Sequence, residues 1–198
     1  TIDSLVNAAR VVAATGGSTN AALHLPAIAN EAGLKFTLRD VVEIYNSTPY
    51  IGDMQPGGKY VAKDLYDVGG VPVVIKSLLD GGYINGDCIT VTGKTIAENH
   101  KEVIFPTNQD VVYKCDNPIS ENSSVVGLWG NLAPDGCISK IAGLKNLTFK
   151  GKAKCFDSEE DALTAVLKNE IKAGDAVIIR YEGPKGGPGM REMLSTTG

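Results

Sequence analysis

A single carboxylate, Glu192, stands among Met190, Met193 and Leu194 near the end of a 198-residue chain. Before it runs Gly183-Pro184-Lys185-Gly186-Gly187-Pro188-Gly189, with four Gly and two Pro in seven residues. Proline fixes φ and glycine admits φ > 0, so this composition specifies a loop of defined shape. No bulky side chain stands between its backbone N–H groups and whatever sits above them. A carboxylate in apolar surroundings needs a counter-ion, and a hard divalent cation takes oxygen ligands. The same residues also fit a plain surface loop, with Glu192 solvated on the first turn of a helix, where an acid is favoured.

A second stretch with binding chemistry is Gly16-Gly17-Ser18-Thr19-Asn20. A glycine pair before a helix start leaves backbone N–H groups available, so the Ser18–Asn20 turn can hold a carboxylate or phosphate. An ordinary capped turn between two helices explains the spacing equally. His24 follows between Leu23 and Leu25 and is expected to pack. With His24 and His100 the sole histidines, no histidine metal cluster can form within this chain. Cys88, Cys115, Cys137 and Cys155 are widely spaced with no C-x-x-C pair, the pattern of isolated reduced thiols rather than a disulfide framework.

These residues need elements to place them. Asp3 or Ser4 can cap a first helix carrying Leu5, Ala9, Val12 and Ala13, and Gly16-Gly17 ends it. Ser18 can cap a second through Ala21, Leu25, Ile28 and Ala29. Thr37-Leu38-Arg39-Asp40 is a capping turn for a third, through Val41, Val42 and Tyr45. Pro56-Gly57-Gly58 marks a turn, a helix with Val61, Leu65 and Val68 inward runs to Gly69-Gly70, and Pro72 opens another with Val74, Ile75, Leu78 and Leu79 inward. Lys59 and Lys63 read as solvated charges.

The pattern changes after about residue 100. Ile104 to Ser124 carries two Pro and three Asn and reads as a connection over the surface. Strands are expected at Val125–Trp129, Ile138–Ile141, Ala153–Phe156 and, as a buried run, Ala176–Tyr181. Between the last two, Asp157 or Ser158 caps a helix with Leu163, Val166, Leu167 and Ile171 as its buried stripe, closed by Gly174.

Net charge of −4 and a pI near 5.2 argue against nucleic acid as a partner, because a phosphate-binding face needs clustered Lys and Arg. No apolar run is long enough for a membrane-spanning helix. The chain begins with Thr1 and stops just after a motif, and the expectation is a piece of a longer enzyme.

Five stretches, in order, resemble the dihydroxy-acid/phosphogluconate dehydratase family. They are Gly16–Asn20 with Leu23-His24-Leu25, Pro56-Gly57-Gly58-Lys59-Tyr60 through Gly69-Gly70, Gly86 to Thr95, Gly130-Asn131-Leu132-Ala133-Pro134, and Arg180 to Leu194. The resemblance spans nearly the whole chain. It implies an α/β fold, with residues 1–105 as the end of a mostly helical α/β domain, 106–124 as a linker and 125–198 as the start of a swivelling β-barrel-like domain. It further implies a hydro-lyase that converts a 2,3-dihydroxy acid to a 2-keto acid with an iron–sulfur cluster and Mg²⁺. Of the Mg²⁺ ligands, Glu192 falls in this chain. The cluster cysteines and other ligands are expected upstream, and the base serine beyond Gly198. Gly186, Gly187 and Gly189 N–H groups can face the substrate carboxylate, with Lys185 either adding charge there or staying solvated. The Pro56–Tyr60 and Gly69-Gly70-Val71-Pro72 stretches resemble the branched-chain amino-acid enzyme, while sugar-acid dehydratases remain the alternative within the family. From another class, a non-catalytic anion-binding module would use the Ser18 turn or the Gly183–Gly189 loop. A homodimer located in the cytoplasm or an organelle matrix completes the family expectation.

Overall fold

The computed structural model describes residues 1–141, 144, 146–183 and 193–197, with only the backbone at 194 and 197. The fold mixes helix and sheet, and the chain divides into two compact units, residues 1–144 and 145–198.

In the first unit, α1 (Ile2–Ala14) is capped by Thr1, whose side chain accepts from the Ser4 N–H. Neither Asp3 nor Ser4 is the cap, because the helix already begins at Ile2. Leu5, Ala9 and Ala13, four residues apart, form its buried stripe. They pack with Ala22, Leu25 and Ala29 of α2 (Ala21–Glu31) and with Val41, Ile44 and Tyr45 of α3 (Leu38–Asn46). Ile28, expected inward on α2, is more than half exposed, and His24 is exposed rather than packed. The face closing on the core is the Ala22–Leu25–Ala29 row, and both side chains fall off it.

The expected capping turn at α3 is present. Thr37 Oγ1 accepts from the Asp40 N–H, and Asp40 Oδ2 accepts from the Thr37 N–H at 2.6 Å. The Thr37 hydroxyl also donates to Asp40 Oδ2, and this bond, followed by that from the Thr37 N–H, holds the Asp40 carboxyl below its ordinary value. Their contribution is therefore complete at neutral pH and fades as pH falls through that depressed value. Thr37→Ala is expected to cost about 1 kcal/mol, read as a lower unfolding midpoint of the whole protein at pH 7. The difference from wild type should shrink in strong acid.

A second core gathers Ala14, Ile51, Val73, Val74, Leu78, Ile84, Val111 and Val112. It lies around α4 (Ala62–Asp67) and α5 (Val71–Asp80), the latter with Pro72 in its first turn as expected. Much of residues 104–124 is exposed, as expected of a surface connection, but its middle is not. Val111 and Val112 are buried, and the segment runs alongside residues 50–53, with Asp53 N–H donating to Val111 O and Tyr113 N–H to Ile51 O. Two polar ties close this unit over long stretches of sequence. Asn7 and Asn85 exchange reciprocal hydrogen bonds of 2.9 Å, and Ser123 Oγ donates to Ala13 O. A short α6 (Ile96–His100), absent from the sequence reading, starts on a Thr95–Glu98 capping box.

The antiparallel hairpin of β1 (Val125–Leu128) and β2 (Cys137–Lys140) pairs Val125 with Lys140 and packs on α3. A Cβ on Gly127 would lie 2.3 Å from a Val42 methyl, so only glycine lets the strand approach so closely.

In the second unit, β3 (Lys152–Phe156) and β4 (Asp175–Ile179) pair in parallel across α7 (Glu159–Leu167). Ser158 caps α7, accepting from the Asp161 N–H. The buried face of α7 is Ala162 and Ala165, not the expected stripe of larger side chains. Val166 and Leu167 are exposed, and Ile171 lies past the helix end. Asn169, at φ 56, turns the chain out of α7. Gly174, expected to close the helix, instead serves the turn into β4 at φ +92. β4 is half-buried rather than buried, with Val177 exposed. A last helical turn, α8 (Leu194–Thr197), follows. Among the described residues the strands form two two-stranded sheets, and no barrel closes.

Candidate functional site

The turn after α1 is shaped by crowding. Gly16 adopts φ +62, and a Cβ there would sit 2.8 Å from Tyr50 Cε2 and 2.9 Å from Ser124 Oγ. Thr15 ties itself back through Oγ1 donating to Val11 O. Gly16 and Gly17 N–H groups turn inward to Ala13 O and Val12 O. Ser18 does not cap α2. Its Oγ accepts from the Asn20 N–H, and Asn20, in helical conformation, stands at the N-cap without a side-chain capping bond. The carbonyls of Ser18 and Thr19 accept from Ala21 and Ala22 N–H, whereas the N–H groups of Ser18 and Thr19 have no partner among the described residues.

Facing this turn is the loop at Met54-Gln55-Pro56. Asp53 organises it, its carbonyl accepting from Lys59 and Tyr60 N–H while Gly58 N–H donates to Met54 O. Lys59, read from the sequence as a solvated charge, is mostly exposed and pairs with Asp53 at 3.4 Å. Lys63 pairs with Asp67, also in solvent. Tyr60 donates to Asp110 Oδ1, which raises its phenol to about 12.

Turn and loop form two walls of one cleft of about 500 Å³, with Leu65, Val71 and Val74 as an apolar third. The fourth side is Lys140 of β2, whose ammonium is pushed below its ordinary value by burial. No charged side chain other than Lys140 lines the cleft among the described residues.

The structure thus brings Ser18 into a cleft with Pro56, joining two stretches that the sequence separates by nearly forty positions. Thr19 and Asn20 continue the same turn without lining it. Glu192, Lys185, Gly186, Gly187 and Gly189 lie outside the described residues. Sequence reasoning missed Lys140. The available signal was strand parity, since Lys140 shares its face of β2 with Ile138, which packs against the core.

Among the described residues no three His, Cys, Asp or Glu side chains gather to hold a metal ion. All four cysteines are free thiols. Cys137 and Cys155 are exposed, and Cys115 donates to Ser77 O, with burial pushing its thiol up rather than toward the thiolate a metal requires. The described residues do not fit an iron–sulfur cluster.

A helical unit that holds a largely apolar cleft, together with a parallel βαβ unit, defines an α/β protein. Residues 1–99 match the family model described as Dihydroxy-acid/6-phosphogluconate dehydratase N-terminal, and residues 110–198 match its C-terminal counterpart. The chain belongs to the dihydroxy-acid/6-phosphogluconate dehydratase family. It is 65% identical over 195 residues to the dihydroxy-acid dehydratase of Pelagibacter ubique, covering 98% of this chain and 34% of that protein. It is 62% identical over 194 residues to dihydroxy-acid dehydratase 2 of Bradyrhizobium diazoefficiens, with the same coverage. Against dihydroxy-acid dehydratase 2 of Corynebacterium efficiens it is 52% identical over 199 residues, 100% of this chain and 35% of that protein. The chain spans about a third of the length of these relatives.

Proposed function

We propose that this chain is part of a hydro-lyase that removes water from 2,3-dihydroxy-3-methyl carboxylic acids, giving 2-keto acids for valine and isoleucine synthesis. The observation that carries this is the 52–65% identity, across essentially the whole chain, to proteins named dihydroxy-acid dehydratase. The reaction must remove a weakly acidic C2 proton and expel a poor leaving group from C3, so it needs developing negative charge to be stabilised. In the whole protein, an iron–sulfur cluster and Mg²⁺ would supply that Lewis acidity when bound, and Glu192 would be the magnesium ligand from this chain. The cluster ligands and the base serine lie in other parts of the protein. Ser18, Thr19 and Asn20 are substrate-binding residues, as are Lys185, Gly186, Gly187 and Gly189.

In this reading residues 1–105 end an α/β domain, 106–124 connect it onward and 125–198 begin a barrel-like domain. The whole protein works as a homodimer on a small acid in the cytoplasm or an organelle matrix. The family model's description also covers phosphogluconate, so the test is a substrate panel. The whole protein should form 2-keto acid from 2,3-dihydroxyisovalerate in preference to 6-phosphogluconate and aldonates. Preference for a sugar acid would move it to the other branch of the family. Anion binding with no turnover of any acid would mark a binding module. Residues 1–198 alone are expected to show no turnover, and measurable turnover by them would refute the division of the site across the longer protein.

A further inference from the structure

The corner of the cleft where β2 meets the Gly16 turn carries Lys140, Thr15 and Ser18 and, among the described residues, no acid. Lys140 is partly withdrawn from water, and among the described residues no carboxylate lies within ion-pairing distance of it. A cation in that position is costly until something supplies the opposite charge. Behind the Gly16 wall, and not lining the cleft, Tyr50 Oη and Ser124 Oγ are buried without a hydrogen bond among the described residues. Both residues crowd the face of Gly16, and Ser124 O accepts from the N–H of Ile141, the neighbour of Lys140. Ser18, which lines the adjoining turn, has an N–H group with no partner among the described residues. Opposite this polar corner the lining is aliphatic, from Val11, Leu65, Val71 and Val74.

One cation with neutral donors suits a monoanion, whereas a phosphate dianion calls for more positive charge. The aliphatic side suits a short branched tail rather than a polyol. We propose that Lys140 binds the carboxylate of a short branched-chain acid in this cleft, an assignment that rests on the hydro-lyase reading for the identity of that acid.

Two measurements on the whole protein test this. In the wild type, saturating isobutyrate, a non-reactive branched monocarboxylate, should slow acetylation of Lys140 several-fold by peptide mass spectrometry. The exposed Lys150 serves as the internal control, and inorganic phosphate should protect less. In variants, Lys140→Met should weaken calorimetric binding of the 2-keto acid by about 10–100-fold. It should raise KM similarly with little change in kcat, as expected for binding shared by ground and transition states. Lys140→Arg should recover most of the loss. Unchanged acetylation of Lys140 under isobutyrate, stronger protection by phosphate, or unchanged affinity in a folded Lys140→Met protein each overturns the assignment. The acetylation result decides the matter if the Met variant does not fold. A protein without dehydratase turnover whose Lys140 is still protected by isobutyrate would remove the hydro-lyase reading and leave the carboxylate site standing. Turnover with wild-type KM in Lys140→Met would do the reverse.

Discussion

Glu192→Gln in the whole protein is expected to weaken Mg²⁺ binding by on the order of 10²-fold and to lower turnover at least as much. Glutamine keeps the size of the side chain and removes its charge, so the loss isolates attraction between carboxylate and dication. Disturbing residues that merely orient metal ligands already costs 10–100-fold in typical sites, and a direct ligand should cost no less. A Mg²⁺ titration of both proteins, with circular dichroism to confirm equal folding, makes the comparison. Equal affinity would place Glu192 on an ordinary surface loop and leave the chain's role in the reaction to the cleft alone.

Gly58→Ala is expected to destabilise the first unit by roughly 3 kcal/mol, the upper end for an overpacked site. A Cβ at Gly58 would lie 2.3 Å from the carbonyl carbon of Asp53, 2.4 Å from its Oδ1 and 2.6 Å from its backbone oxygen. Two of these are main-chain atoms that already accept from or adjoin the bonds to Lys59 and Tyr60, so no rotamer change relieves the contact. The loop must open, and Met54, Gln55 and Pro56 move with it, so substrate affinity should fall along with the unfolding midpoint. Gly130→Ala, where a Cβ meets nothing within 4 Å, is the matched control and should be neutral. Equal midpoints for the two variants would show that the 53–60 loop tolerates rearrangement.

The parts legible in the sequence were those governed by neighbours along the chain. Thr37 with Asp40, Pro72 at its helix start and Ser158 before its acidic turn are local devices, and each stands where the spacing put it. Thr95-Ile96-Ala97-Glu98 carries the same capping signal, at the head of a helix only five residues long. Which face a helix buries depends on its partners. On α7 the small side chains Ala162 and Ala165 allow close approach, and the larger Leu167 is left outside. Polar composition likewise hid Val111 and Val112, whose burial follows from pairing with residues some sixty positions earlier. The Ser18 turn was found from its glycines. Strand parity groups Lys140 with Ile138 on one face of β2, and the hairpin's packing then brings Lys140 to the cleft.

The ties from Asn7 to Asn85 and from Ala13 to Ser123 span 78 and 110 residues, and they bear on how the chain is made. At about 5–20 residues per second, Ser123 is synthesised roughly 5–20 s after Ala13. Through that interval α1 has α2 and α3 to lean on but lacks the strand residue Val125 that completes its core. The nascent chain therefore carries an unfinished apolar seam through much of its translation. Ribosome-bound chaperones should be found on it until the hairpin emerges.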